Sequence, residues 1–212
     1  MDYIKTAFAF ENGGIWMWAI AAVSIICIAL LIERVYYIFF KFNTNARQFM
    51  DTVQRNIVSG NIDGAIQVCN AAGNAAVAQV VKAGLARANK SELEIQQALE
   101  EASLEIVPLV TRFMPAISSL ANVATLLGLL GTIIGLISAF GALADAAPDE
   151  RQEKLSNGIA IAMNTTAFGL IVAIPTLVFH ILLSAFATKI LADIELYSTR
   201  LGNLLGSRVA NK

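Results

Sequence analysis

Apolar and polar positions fall in long blocks along this chain. Ile15 to Ile32 reads "IWMWAIAAVSIICIALLI" without a charge, and apolar character resumes after Glu33-Arg34 through Phe40. Phe113 to Ala144 is a second uncharged run, and Leu155 to Thr188 a third. Each is long enough for the roughly 17–25 residues that carry a helix across a bilayer. The third would reach ~50 Å as a helix, so it should project out of the hydrocarbon. The pattern predicts an all-α membrane protein with transmembrane helices over residues 15–40, 113–144 and 155–188. The preceding segment, 1–14, contains Asp2, Lys5 and Glu11 and lacks the positive start of a cleavable signal.

The insert 41–112 is helical in pattern. "SGNIDGAIQVCNAAGN" reads as turn, short helix, turn. "SELEIQQALEEASLEI" opens with a capping box, Ser91 and Glu94. The apolar stripe Ile95, Leu99, Ala102, Ile106, Leu109, Phe113 then leads into the second span. It predicts one long helix running from the cytoplasm into the membrane, bent at Pro108 and Pro115. The stripe serves either packing within the chain or assembly between subunits.

Charge sets the orientation. The insert 41–112 and the tail 189–212 together hold eleven Lys and Arg, against three in segment 1–14 and loop 145–154. The positive-inside rule puts the N-terminus and that loop in the periplasm and the C-terminus in the cytoplasm. Trp16 and Trp18 then sit near the outer interface.

Composition agrees with the blocks. The chain has 212 residues, of which 57% are hydrophobic and 15% charged. Soluble proteins carry about 25% charged residues. Mean hydropathy is +0.64. A net charge of −1 gives no reason to expect nucleic acid as a partner. Cys27 and Cys69 have no metal or redox spacing and are expected as buried free thiols. The sequence suggests no catalytic residue, metal site, cofactor or enzyme.

The polar residues inside the spans are the candidate chemistry. In the second span, Ser118, Asn122, Thr125, Leu129, Thr132, Leu136 and Ala139 share one face. About 100° away runs a face of small residues that includes Gly128, Gly131 and Gly135, which permits close helix approach in lipid. In the third span Ile159, Ala162, Thr166, Gly169, Ala173, Thr176 and His180 share a face, and Pro175 frees the carbonyl of Ile171. Thr132 lies thirteen residues before Asp145, and Thr166 twelve after Lys154. Both threonines therefore sit ~18–20 Å in from the loop charges. If copies assemble about an axis, that level becomes a ring.

The local reading of each threonine is a bond to the carbonyl four residues back. Asn164 lies about 200° from Thr166, so it should bond a neighbouring helix. Thr165 also points away from the Thr166 level. Asn164, Thr165 and His180 are relay or helix-contact candidates. No Asp or Glu lies inside the second or third span. If an ion crosses here, a second protein supplies the titrating group.

"GLLGTIIGLISAF" followed by "NGIAIAMNTTAFGLIVAIP" resembles the ExbB/TolQ/MotA proton-channel family, nearest its ExbB and TolQ branch. The insert "GNIDGAIQVCN…VVKAGLARA…ALEEASLEIVPLVTRFMP" is similar to the same branch. The resemblance implies a homopentamer in the bacterial inner membrane, with the second and third helices lining a central pore. It implies a dimer of an ExbD- or TolR-like single-span partner, whose membrane aspartate this chain lacks. Proton flow would drive the pair, and the family's pore threonines map to Thr132 and Thr166. Two positions depart from the pattern. Ile161 stands where many members have glutamate, and Thr125 where many have proline. Two rival readings remain beside the proton-driven one: a passive membrane scaffold and a sodium-driven motor subunit.

Overall fold

The computed structural model describes residues 14–42, 45–144 and 147–210. Most of the expected periplasmic segment 1–14, Asp145 and Ala146 of the expected loop, and the last two residues of the tail lie outside them. Helix α1 spans Gly14–Tyr36 and runs into a π-helical turn, Tyr37–Phe42. Then come α2 (Ala46–Val58), α3 (Ile62–Ala71), α4 (Ala76–Ala86), α5 (Glu92–Thr111), α6 (Met114–Ala144) and α7 (Arg151–Ala210). Among the described residues there is no strand. Among the described residues, three segments are long and apolar enough to cross a membrane, within Ile15–Val58, Glu92–Ala144 and Arg151–Ser207.

The chain divides into two compact units. One holds the first part of α1, all of α6 and α7 through Ile181. Its core is the small-residue side of α6, where Ala121, Ala124, Gly128 and Gly131 are buried. On α7 the buried positions are Ala162, Thr165, Gly169, Ala173 and Thr176. Met17, Ile20 and Cys27 are the buried residues of α1 in this unit. With no hydrophobic drive between helices in lipid, packing of small residues supplies the contact.

The other unit holds residues 33–112 and the rest of α7. Its short helices start on side-chain caps. Asn45 accepts from the Gln48 N–H, Asn61 from the Gly64 N–H, and Ser91 from the Glu94 N–H. Ser91 Oγ also donates to Glu94 Oε1 at 3.0 Å, so the two residues of the expected capping box do meet. Gly60 (φ 83°) and Gly73 (φ 62°) end α2 and α3 in the left-handed region. Helix α4 is buried nearly all round, through Ala76, Val77, Ala78, Val80, Val81 and Leu85. Gly84 lets Leu99 of α5 and Leu201 of α7 approach it closely.

The stripe on α5 thus packs within the chain: Ile95, Leu99 and Ile106 are buried and Ala102 half-buried. At its end the stripe shifts by one residue, because Leu109 is exposed and Val110 is buried.

The expected single helix from 91 into the second span is two helices. Helix α5 ends at Thr111, Arg112 is extended (φ −49°, ψ 136°), and Phe113 adopts φ 63°. The reason is Pro115, which has no N–H for the Thr111 carbonyl. As the second residue of the new helix it needs none. The Phe113 carbonyl accepts the first bond of α6, from the Ile117 N–H at 3.0 Å. Pro108, in contrast, is accommodated inside α5.

Arg34 supports the end of α5. It is 1% exposed, grips Glu33 with two nitrogens at 2.5 and 2.7 Å, and donates to the Leu109 carbonyl at 3.1 Å. A cation among the last carbonyls of a helix is favoured by the dipole. Its guanidinium also lies 5.3 Å from the Tyr37 ring centre.

Candidate functional site

The site grows out of how closely α6 and α7 approach. A Cβ placed on Gly169 would lie 2.7 Å from the Ala124 carbonyl oxygen. One on Gly128 would lie 3.2 Å from both the Thr165 oxygen and the Thr166 Cα, and one on Gly135 would lie 2.8 Å from the Ala162 Cβ. A Cβ on Gly131 would collide with the Thr165 methyl. No larger side chain fits these positions without moving a helix. The gap that results is short enough for side chains to reach the opposite backbone.

Two hydroxyls do so. Thr132 Oγ1 donates within reach of its own turn, to the Gly128 carbonyl at 3.2 Å, and across to the Ala162 carbonyl at 3.1 Å. Thr166 Oγ1 reaches the Gly128 carbonyl at 3.0 Å. The two hydroxyl oxygens are also hydrogen-bonded to each other. Gly128 is four residues before Thr132 and Ala162 four before Thr166, so each threonine uses the other's turn. Two protons are shared among four oxygens. The pair can therefore turn a proton toward an outside acceptor or accept one from an outside donor. Both side chains are half-buried, not sealed.

The remaining sequence candidates are placed as follows. Thr125 is half-buried and bonds only the Ala121 carbonyl, at 3.3 Å. Asn122 is exposed. Asn164 is half-buried, and neither carboxamide has a hydrogen-bond partner among the described residues. Thr165 is 2% exposed, lies against Gly131 and bonds its own Ile161 carbonyl at 3.3 Å. It belongs to the α6–α7 contact, one residue from the hydroxyl pair. Its spacing of three from Ala162 and four to Gly169 is the sequence signal for that place. Thr176 is buried and bonds the Val172 carbonyl at 2.7 Å. His180 is half-buried, and Pro175 is exposed inside an unbroken helix.

Sequence reasoning missed the two carbonyls, Gly128 and Ala162, because backbone acceptors leave no mark in residue types. Ile161 lines a groove of about 460 Å³ with Trp16, Ser138, Lys154, Asn157 and Thr165. Among the described residues, no carboxylate lines it. Among the described residues, no group of three His, Cys, Asp or Glu is arranged to hold a metal.

Residues 72–196, which include both threonines and both small-residue sides, match the MotA/TolQ/ExbB proton channel family. The chain belongs to this family. It is 30% identical over 168 residues to an ExbB-like biopolymer transport protein of Synechocystis, covering 79% of each chain. An ExbB homolog of Methanothermobacter thermautotrophicus is 27% identical over 167 residues, which is 78% of this chain and 58% of that one. The biopolymer transport protein ExbB of Aquifex aeolicus is 34% identical over 83 residues, 39% of this chain and 55% of that one. As a family member with three apolar helices of spanning length, this is a multi-pass membrane protein.

Proposed function

We propose that this chain is the channel-forming subunit of a proton-motive-force-driven energy transducer in a bacterial inner membrane. Five copies surround a pore lined by α6 and α7. A dimer of single-span, ExbD- or TolR-like partners threads that pore, each carrying a membrane aspartate. The N-terminus is periplasmic and the C-terminus cytoplasmic. The hydrogen-bonded pair Thr132–Thr166 carries the reading, because it sets two adaptable hydroxyls at one depth in spans that contain no acid. The partner's carboxyl would meet that level in its charged and neutral forms. A hydroxyl suits both, donating to a carboxylate and accepting from an acid. The half-exposure of the pair supports the reading, and so does the tight packing of Gly128 and Gly169 behind it.

The family is one of channels, and no enzymatic step is assigned. The passive-scaffold reading draws on the same small-residue packing, but it gives the crossed hydroxyls no task. The test is complementation: Thr132→Val and Thr166→Val should each abolish energised function in cells while the protein still assembles with its partner. Normal function in both variants contradicts the proposal.

A further inference from the structure

We propose that the groove between α5 and α7 binds a linear polyamine, a chain of ammonium groups joined by methylenes. This goes beyond the channel reading and does not depend on it. The orientation proposed above opens the groove to the cytosol. Its volume is about 620 Å³. Leu99 and Ile194, both buried, lie at its bottom, with Val107 and Leu191 half-buried beside them. Glu100 and Glu195, both exposed, stand at its rim, one from each helix. Among the described residues, no Lys or Arg lines it. Neither glutamate has an ion-pair partner among those residues. Helix α5 as a whole carries five glutamates and no cation.

The packing sets where the two carboxylates fall. A Cβ on Gly202 would lie 3.7 Å from Leu99 and 4.0 Å from Gln96, and one on Gly206 would lie 2.9 Å from Glu92. The end of α7 is therefore beside the start of α5, and the two helices run antiparallel. Carried along both helices, this pairing puts Glu100 level with Ser198, and Glu195 level with Ser103. The carboxylates stand on opposite walls, about one turn or ~5 Å apart along the groove. Ammonium groups separated by three or four methylenes span such a stagger. The methylenes between them cover the apolar bottom.

Ser198 adds an oxygen at the level of Glu100. Two hydroxyls of the groove are already engaged: Ser103 Oγ donates to the Leu99 carbonyl at 2.8 Å, and Thr199 Oγ1 to the Glu195 carbonyl at 2.9 Å. Ser198 Oγ is buried without a hydrogen-bond partner among the described residues. A hydroxyl left so costs free energy that an N–H donor recovers. A divalent metal ion suits the groove less. It needs several oxygens converging at about 2.0–2.6 Å, and the described residues hold no group of three His, Cys, Asp or Glu placed for a metal.

The test is isothermal titration calorimetry of the full chain in detergent with spermidine. Binding should saturate at one per chain. Glu100→Gln and Glu195→Gln should each weaken it roughly three- to fivefold, as loss of one exposed ion pair does. Glu105→Gln, exposed on α5 outside the groove, should leave it unchanged. Thr199→Trp adds bulk at the exposed rim without changing charge and should abolish binding. Absence of saturable binding overturns the proposal. So does equal weakening by Glu105→Gln, or full binding in Thr199→Trp, since either reduces the effect to surface charge. Displacement of spermidine by magnesium at matched ionic strength also overturns it, and so does a lysine-rich peptide that binds where spermidine does not.

Discussion

The hydroxyls of Thr132 and Thr166 are hydrogen-bonded across the α6–α7 contact, and each also reaches the carbonyl four residues before the other. Neither helix alone could make this arrangement. The prediction is a graded series. Thr166→Ser keeps the hydroxyl and should keep energised function, whereas Thr166→Val should lose it. Both should assemble, because one membrane hydrogen bond is worth only about 1 kcal/mol. Complementation, scored beside the quantity of protein in the membrane, checks this. A Ser variant as inactive as the Val variant would point to shape, not the hydroxyl.

The glycines behind the pair should be intolerant. Gly169→Ala places a Cβ 2.7 Å from the Ala124 backbone oxygen, where no flexible side chain can yield. The helices must separate, at a cost of about 1–3 kcal/mol for overpacking. The thermal midpoint of the detergent-extracted protein should fall. Gly141→Ala, with nothing within 4 Å, should leave it unchanged.

Arg34 should tolerate neither loss of charge nor loss of shape. It is 1% exposed and joins Glu33 to the Leu109 carbonyl beside the α5–α6 break. Arg34→Met leaves that carbonyl without its cation and should cost on the order of 2 kcal/mol. Arg34→Lys keeps the charge but not the two-nitrogen grip, so it should recover only part of the loss. Urea or thermal melting of the purified variants measures both.

Cys69 should be inert. Burial pushes its thiol up to about 11, against a small opposing pull from Lys82. The folded chain therefore holds a proton that an unfolded thiol, near 9, would release. Its contribution to stability is full below pH 9 and is lost as pH rises from 9 toward 11. Maleimide labelling at pH 8 should be slow in the folded protein and fast once denaturant is added. Rapid labelling of folded protein would contradict the burial.

Several features were legible in the residues. The three apolar helices followed from block length, and the Ser91 cap from its spacing to Glu94. The approach of Thr132 to Thr166 followed from counting in from the same loop. The break at Phe113 was not legible as a break. Pro115 signalled a disturbance, but a proline can bend a helix or restart it, and the backbone around it decides. The Gly128 and Ala162 carbonyls were invisible, since every residue has one. Thr165 was legible as pointing away from Thr166, but a relay and a helix contact both stayed open for it. The closeness of Gly131 assigns Thr165 to the helix contact, in line with its spacing from Ala162 and Gly169.

The most direct test of the account is proton conductance in vesicles of this chain reconstituted with the proposed single-span partner. The double variant Thr132→Val, Thr166→Val is compared with Thr176→Val, whose hydroxyl donates to the Val172 carbonyl and takes no part in the pair. The account predicts that conductance is lost in the double variant and retained in Thr176→Val, with equal amounts of assembled complex. Wild-type conductance in an intact double variant would contradict it.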